Sequence, residues 1–243
     1  MIQVQGLSKS FGRVRAVQNV FFSAFNGQIT GLLGPNGAGK STTLRMLYTL
    51  LKPESGLALI DGFDITGDPI EVQRRIGVLA DARGLYERLT TRENIRYYGR
   101  LHGLEGAALE SQIDKLLSLL DMQAIADRRT AGFSTGEKLK VAIARALVHN
   151  PPNVLLDEPT NGLDVMSTRA MRQFILRLRD EGKCVLFTSH VMQEVAALCD
   201  QVVVISKGMI SATVSPDDLR RQTGQENLED AFVAVLGSGE GLA

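Results

Sequence analysis

Gly34-Pro35-Asn36-Gly37-Ala38-Gly39-Lys40-Ser41-Thr42 carries the spacing G-x-x-x-x-G-K-[ST], and its reading decides the fold. Residues 28–33 before it read as a short buried strand. Residues 43–51 after it are apolar at helical spacing, closed by Lys52-Pro53. Glycines in such a turn let successive backbone N–H groups point inward, forming an anion-binding concavity at a helix N-terminus. Lys40 is then placed to reach the β- and γ-phosphates of a nucleotide, and the Ser41 hydroxyl suits Mg²⁺. A chance glycine-rich turn meets neither the full spacing nor the flanking strand and helix. The stretch implies a nucleoside triphosphate site.

Working outward, strand-like segments occupy 1–7, 16–25 and 29–33, and the turn signal Asn26-Gly27 predicts a hairpin between the last two. Segments 57–60 and 75–79 read as further strands, with Asp61-Gly62 as a turn. From about 91 to 148 the pattern is helical. Ile113, Leu116, Leu117 and Leu120 line one face, Ser111 reads as an N-cap, and a second helix over 137–149 stops at Asn150-Pro151-Pro152. Strands and helices alternate again beyond 153: strands at 154–156, 184–188, 202–205 and 209–214, helices at 166–178 and 191–198. The reading is an α/β chain with a largely parallel sheet and an inserted helical block.

Composition sets limits. The 243 residues suffice for one large domain; 44% are hydrophobic, 22% charged, and the formal net charge is zero. That balance argues against nucleic acid as an electrostatically driven partner. Cys184 and Cys199 sit in no metal-ligand spacing and read as reduced structural residues. No signal-peptide pattern opens the chain, and no run reaches the roughly 18 apolar residues of a membrane span. The expectation is a cytoplasmic protein that depends on another polypeptide if it serves a membrane process. The tail 236–243, rich in glycine, is expected to be flexible.

The acids Asp157-Glu158 end the apolar segment Val154-Leu155-Leu156, which puts both carboxylates at the carboxyl edge of a sheet, where ligands bind in open α/β folds. Asp157 suits a Mg²⁺ shell, and Glu158 suits orienting and deprotonating a water. Phe133-Ser134-Thr135-Gly136-Glu137 opens the helix over 137–149. It admits two readings: an anion contact from Ser134 and the Gly136 N–H, or a capping box in which Ser134 and Glu137 satisfy each other's backbone. His190 follows the strand 185–187 at the same edge as Glu158, whereas His102 and His149 read as structural.

Taken in order, these motifs resemble the ATP-binding subunits of ABC transporters over nearly the whole chain. Residues 34–42 are similar to their Walker A motif, 154–158 to Walker B, 133–137 to the signature motif, and Asn161-Gly162-Leu163-Asp164 to the D-loop. His190 matches the switch histidine, and Phe11 in Ser10-Phe11-Gly12 matches the aromatic that stacks on adenine, although an aromatic in an apolar segment also suits a core. Residues 85–94 resemble the stretch after the Q-loop. The resemblance implies a P-loop NTPase (RecA-like) core with an N-terminal antiparallel β subdomain and an inserted α-helical subdomain. It places one ATPase domain at 1–235, its core at about 1–85 and 151–220 and its helical part at about 86–150. It further implies ATP and Mg²⁺ as ligands, and a head-to-tail dimer with a second nucleotide-binding subunit. In that dimer Ser134 and Gly136 face the γ-phosphate held by Lys40 of the other copy. A separate transmembrane permease would complete an exporter at the inner face of the cell membrane, with sodium-extrusion and drug or polysaccharide export types most alike.

Two departures bear on this. Asp81 stands where the family has its Q-loop glutamine; it can still approach Mg²⁺ but adds charge and is one methylene shorter. Thr135 and Glu137 replace a glycine and a glutamine in the signature. Together they point to modest ATP turnover. Two other readings stay open: a non-transport ABC ATPase and a weakly hydrolysing regulatory subunit. Cargo is not legible.

Overall fold

The computed structural model describes residues 1–80 and 84–237. Strands β1 (Ile2–Phe11) and β2 (Val14–Ala24) form an antiparallel hairpin, after which β3 (Ile29–Leu33) leads through the glycine-rich turn into α1 (Lys40–Leu47). Then come β4 (Ser55–Ile60), β5 (Phe63–Asp64), α2 (Pro69–Arg75) and β6 (Ile76–Leu79). Helices α3 (Thr91–Leu101), α4 (Gly106–Leu119) and α5 (Thr135–Leu147) make the helical block. The chain closes with β7 (Asn153–Leu156), α6 (Val165–Asp180), β8 (Cys184–Ser189), α7 (Met192–Leu198), β9 (Gln201–Ser206), β10 (Met209–Val214), α8 (Pro216–Thr223) and α9 (Leu228–Leu236).

Two sheets result: β2-β1-β4-β5, antiparallel, and β10-β9-β3-β8-β7-β6, parallel except for the β10–β9 pair. The predicted hairpin across Asn26-Gly27 is therefore not formed. The turn is present, but β2 pairs with β1 while β3 enters the other sheet between β8 and β9. The cause is burial: every residue of β3 is buried, which needs cover on both faces, whereas β2 alternates between exposed and buried.

The parallel strands sort their side chains by parity. Ile29, Leu33, Val154, Leu156, Val185, Phe187, Val202 and Val204 enter one core with α4, α5 and α6. Leu32, Leu155, Leu186, Val203 and Ile205 enter the other, with α1 and the antiparallel sheet. A one-residue slip would exchange the two sets, so register is strongly fixed. That register aligns Leu33 with Ser189 and Leu156 with Phe187, which brings Gly34, Asp157 and His190 to a common edge.

The helical block is set by local chemistry. Thr90 and Glu93 form a capping box at the start of α3. Arg96 on α3 grips Glu110 on α4 with two hydrogen bonds of 2.6 and 2.9 Å. Ser111 is not an N-cap: it lies inside α4, whose N-cap is Glu105. Helices α2, α8 and α9 add to the elements read from the sequence, and their starts are marked by Pro69, by Ser215-Pro216 and by Asn227. Among the described residues no helix is long and apolar enough to cross a membrane.

At the middle of β3, Gly31 packs against Cys199, and a Cβ added there would lie 2.6 Å from Cys199 Sγ. Gly31→Ala is expected to cost about 1–3 kcal/mol of stability by overpacking. Adding Cys199→Ala should restore most of it in thermal unfolding. Additive losses in the double variant would place the strain elsewhere.

Candidate functional site

The glycine-rich loop is shaped by its own hydrogen bonds. It is closed by Ala38 N–H donating to Pro35 O (3.2 Å) and by Thr43 Oγ1 donating to Gly39 O (2.9 Å). Gly39 has φ +107°, and a Cβ there would meet Ala16 O at 2.4 Å. A side chain is excluded by backbone on one side and by conformation on the other. Lys40, only 5% exposed, folds over the loop, its Nζ donating to Gly34 O (2.7 Å) and Pro35 O (3.2 Å). The ammonium also lies 3.6 Å from Glu158 Oε1.

The acids arrive on β7. Asp157 is 2% exposed, and its Oδ1 accepts from Ser41 Oγ (3.0 Å) and Thr188 Oγ1 (2.7 Å). Thr188 in turn accepts from the Glu158 N–H (2.9 Å), so one hydroxyl on β8 aligns both acids. Glu158 is held at φ +47°, a left-handed conformation that costs a non-glycine residue about 1–3 kcal/mol. Its Oε2 lies 2.9 Å from His190 Nδ1, just beyond β8. The cleft so formed, about 490 Å³, is lined by Asn36, Gly37, Ala38, Gly39, Lys40, Ser41, Thr42, Glu158, Asn161 and His190, with Ala16 on its wall.

Of the residues singled out in the sequence, the loop, Asp157, Glu158 and His190 come together here. Gly34 and Pro35 supply the carbonyls that hold Lys40. Phe11 ends β1, opposite Val14, with 48% of its surface exposed; it stands outside the cleft lining, and Lys9 Nζ lies 5.7 Å from its ring centroid. It is not a core residue. Ser134 and Gly136 are absent from the cleft as well. Ser134 caps α5, accepting from Glu137 N–H (3.2 Å) while its own N–H donates to Glu137 Oε2 (2.8 Å). That bond, with Arg128 3.3 Å from Oε1, holds the Glu137 carboxyl below its ordinary range. Gly136 lines a different groove, between α5 and α6. Asp81 lies outside the described residues.

Thr188 and Asn161 also join the site; the sequence assigns the first no role and the second only a place in the stretch similar to a D-loop. The hydroxyl two positions before His190 was the available signal for the first, and the loop that follows Glu158 for the second. The other two histidines lie outside the cleft lining. His102 and His149 stack with centroids 3.6 Å apart, and His149 Nε2 lies 3.0 Å from Ile76 O. Burial drives the His149 pKa down to about 4. Both cysteines are free, and burial raises both thiols, Cys184 to about 11.

This geometry suits phosphoryl transfer: an anion-binding loop, a fixed ammonium, hard oxygen donors at Ser41 and Asp157, and a carboxylate beside an imidazole. Comparison with known proteins agrees. Residues 17–161 match the family model described as ABC transporter. The ABC transporter ATP-binding protein NatA of Bacillus subtilis is 44% identical over 224 residues, 92% of this chain and 91% of that protein. The Nod factor export ATP-binding protein I of Ralstonia nicotianae is 35% identical over 219 residues, 90% of this chain and 68% of that one. A dimeric ATP-binding cassette in a post-hydrolysis state, bound to ADP and Pi, superposes with a TM-score of 0.80 at 25% identity, over 88% of this chain and 98% of that one. A loop, an acid pair and a histidine joined at one sheet edge, in a chain that matches these cassettes along most of its length, make this protein a member of the ABC transporter family, an ATP-binding cassette of the ATPase type.

Proposed function

We propose that this chain is the energising subunit of an ABC exporter, hydrolysing ATP to drive a separate membrane permease from the inner face of the cell membrane. The observation that carries the reading is the Lys40–Glu158–His190 arrangement over the loop, with contacts of 3.6 and 2.9 Å. The loop amides and Lys40 bind the β- and γ-phosphates. Glu158 orients and deprotonates the attacking water, and His190 donates a hydrogen bond near the γ-phosphate. Phe11 stacks on the adenine from the exposed end of β1.

Ser41 and Asp157 suit Mg²⁺ as hard oxygen donors: Ser41 lines the cleft and its hydroxyl lies 3.0 Å from Asp157 Oδ1 just behind it. Asp81 is proposed to approach the same ion. When bound, the ion neutralises charge on the phosphates. A second copy supplies Ser134 and the Gly136 N–H across the interface, which accounts for their distance from Lys40 within one chain. The proposed division is a core at about 1–85 and 151–220 and a helical part at about 86–150, joined by one shared apolar core. Support for the exporter character comes from the Nod factor export relative.

The test is co-purification of the tagged chain from gently solubilised host membranes, read by mass spectrometry. The expected result is a stoichiometric partner that itself spans the membrane. A reproducibly soluble partner in its place would transfer the ATPase to a non-transport role.

A further inference from the structure

One buried carboxylate plays no part in the chemistry so far. Glu194 on α7 is 3% exposed. Its Oε2 accepts from Thr160 Oγ1 at 2.6 Å and from Ser189 Oγ at 3.4 Å. Its Oε1 lies 3.9 Å from Arg172 Nη2 on α6. Ser189 Oγ also accepts from the Val191 N–H (2.9 Å), so this hydroxyl braces the backbone on both sides of His190. Thr160 stands two residues past Glu158 and just before Asn161, which lines the cleft.

Packing alone does not call for an acid here. Val195 and Leu198 supply the apolar contacts of α7, and a buried carboxylate is costly unless it is fully engaged. Glu194 is engaged by hydroxyls from the two loops that carry the reacting groups. One atom, Oε2, joins the segment after Glu158 to the segment before His190. We infer that Glu194 is a positioning residue for ATP hydrolysis: it ties these two loops together and holds Glu158 and His190 at their 2.9 Å contact. The inference rests on the ATPase reading above and adds to it a residue that stands outside the cleft lining.

The test compares the wild-type chain, Glu158→Gln, Glu194→Ala, Glu194→Gln and Thr160→Val in one steady-state assay with Mg-ATP. Nucleotide affinity and thermal stability are measured alongside. Glu194→Ala is expected to lower kcat about tenfold to a hundredfold, the scale of a small misplacement of reacting groups. KM for ATP should stay within about twofold, since ground-state binding is untouched. Glu194→Gln keeps an acceptor oxygen and should recover most of the rate. Thr160→Val removes one hydroxyl from the junction, leaves the carboxylate in place, and should fall between them. If Glu194→Ala does not fold, Thr160→Val at wild-type stability carries the test. Wild-type turnover in Thr160→Val, or a loss confined to KM, overturns this inference alone. A wild-type chain without Glu158-dependent turnover overturns the ATPase reading and this one with it.

Discussion

Glu158→Gln is expected to cut steady-state ATP turnover by about two to four orders of magnitude, the usual contribution of a positioned general base, while ATP still binds. The substitution keeps the shape of the side chain and the backbone at φ +47°, so the strained corner after β7 is preserved. It also keeps an oxygen to contact His190 Nδ1 and leaves the Thr188 bridge to Asp157 untouched. What it removes is the proposed proton acceptor. Binding and closure then proceed and hydrolysis does not, so an ATP-bound head-to-tail dimer should accumulate. Phosphate release and size exclusion with excess ATP read the two consequences separately. Equal release from wild type and variant would mean that Glu158 is not the base. A variant that is inactive but stays monomeric with ATP bound would count against closure of two copies on nucleotide alone.

The same corner shows why so much of the site was legible in the sequence. The glycine spacing, the lysine and the acid pair are local signals, each fixed by a few neighbouring residues. The mainly apolar segments of β3, β7 and β8, without alternating polar positions, read as strands buried on both faces. What failed was the choice of partner. Asn26-Gly27 announces a turn, but whether the strands beside it pair depends on which sheet has room for them, and that is settled by distant residues. The α4 boundary failed for a different reason. Its apolar periodicity becomes visible at Leu109, and the helix starts at Gly106 behind Glu105, with no side-chain cap to mark it. Glu194 carries no sequence signal because it is one acid beside Gln193 in the first turn of α7, where an exposed carboxylate is ordinary. Only Thr160, from a loop more than thirty positions earlier, turns it into a buried junction. The Ser134–Glu137 pair allowed two readings, and within one chain the capping box is the contact that forms. A contact made by a second copy leaves no trace in the geometry of the first.

Lys40→Ala should abolish nucleotide binding for practical purposes. The ammonium is 5% exposed and held by Gly34 O and Pro35 O at 2.7 and 3.2 Å, so one of its three N–H donors is left for a phosphate and a second is gained by exchanging the longer Pro35 contact. Charge-assisted hydrogen bonds to phosphate oxygens contribute about 1.5–3 kcal/mol each. Losing two of them removes about 3–6 kcal/mol, a weakening of about 10²–10⁴-fold. Alanine does a second kind of damage, because the Gly34 and Pro35 carbonyls lose their donor and the loop loses the contact that shapes it. Lys40→Arg separates the two effects. It retains the charge, but a planar guanidinium does not reproduce a compact ammonium in so enclosed a place, so affinity should fall there too. Titration with ATP by calorimetry gives the affinities, and thermal unfolding shows whether the fold has survived. A Lys40→Ala chain that unfolds at the wild-type temperature and binds ATP within about threefold of wild type would remove the loop from the function assigned to it.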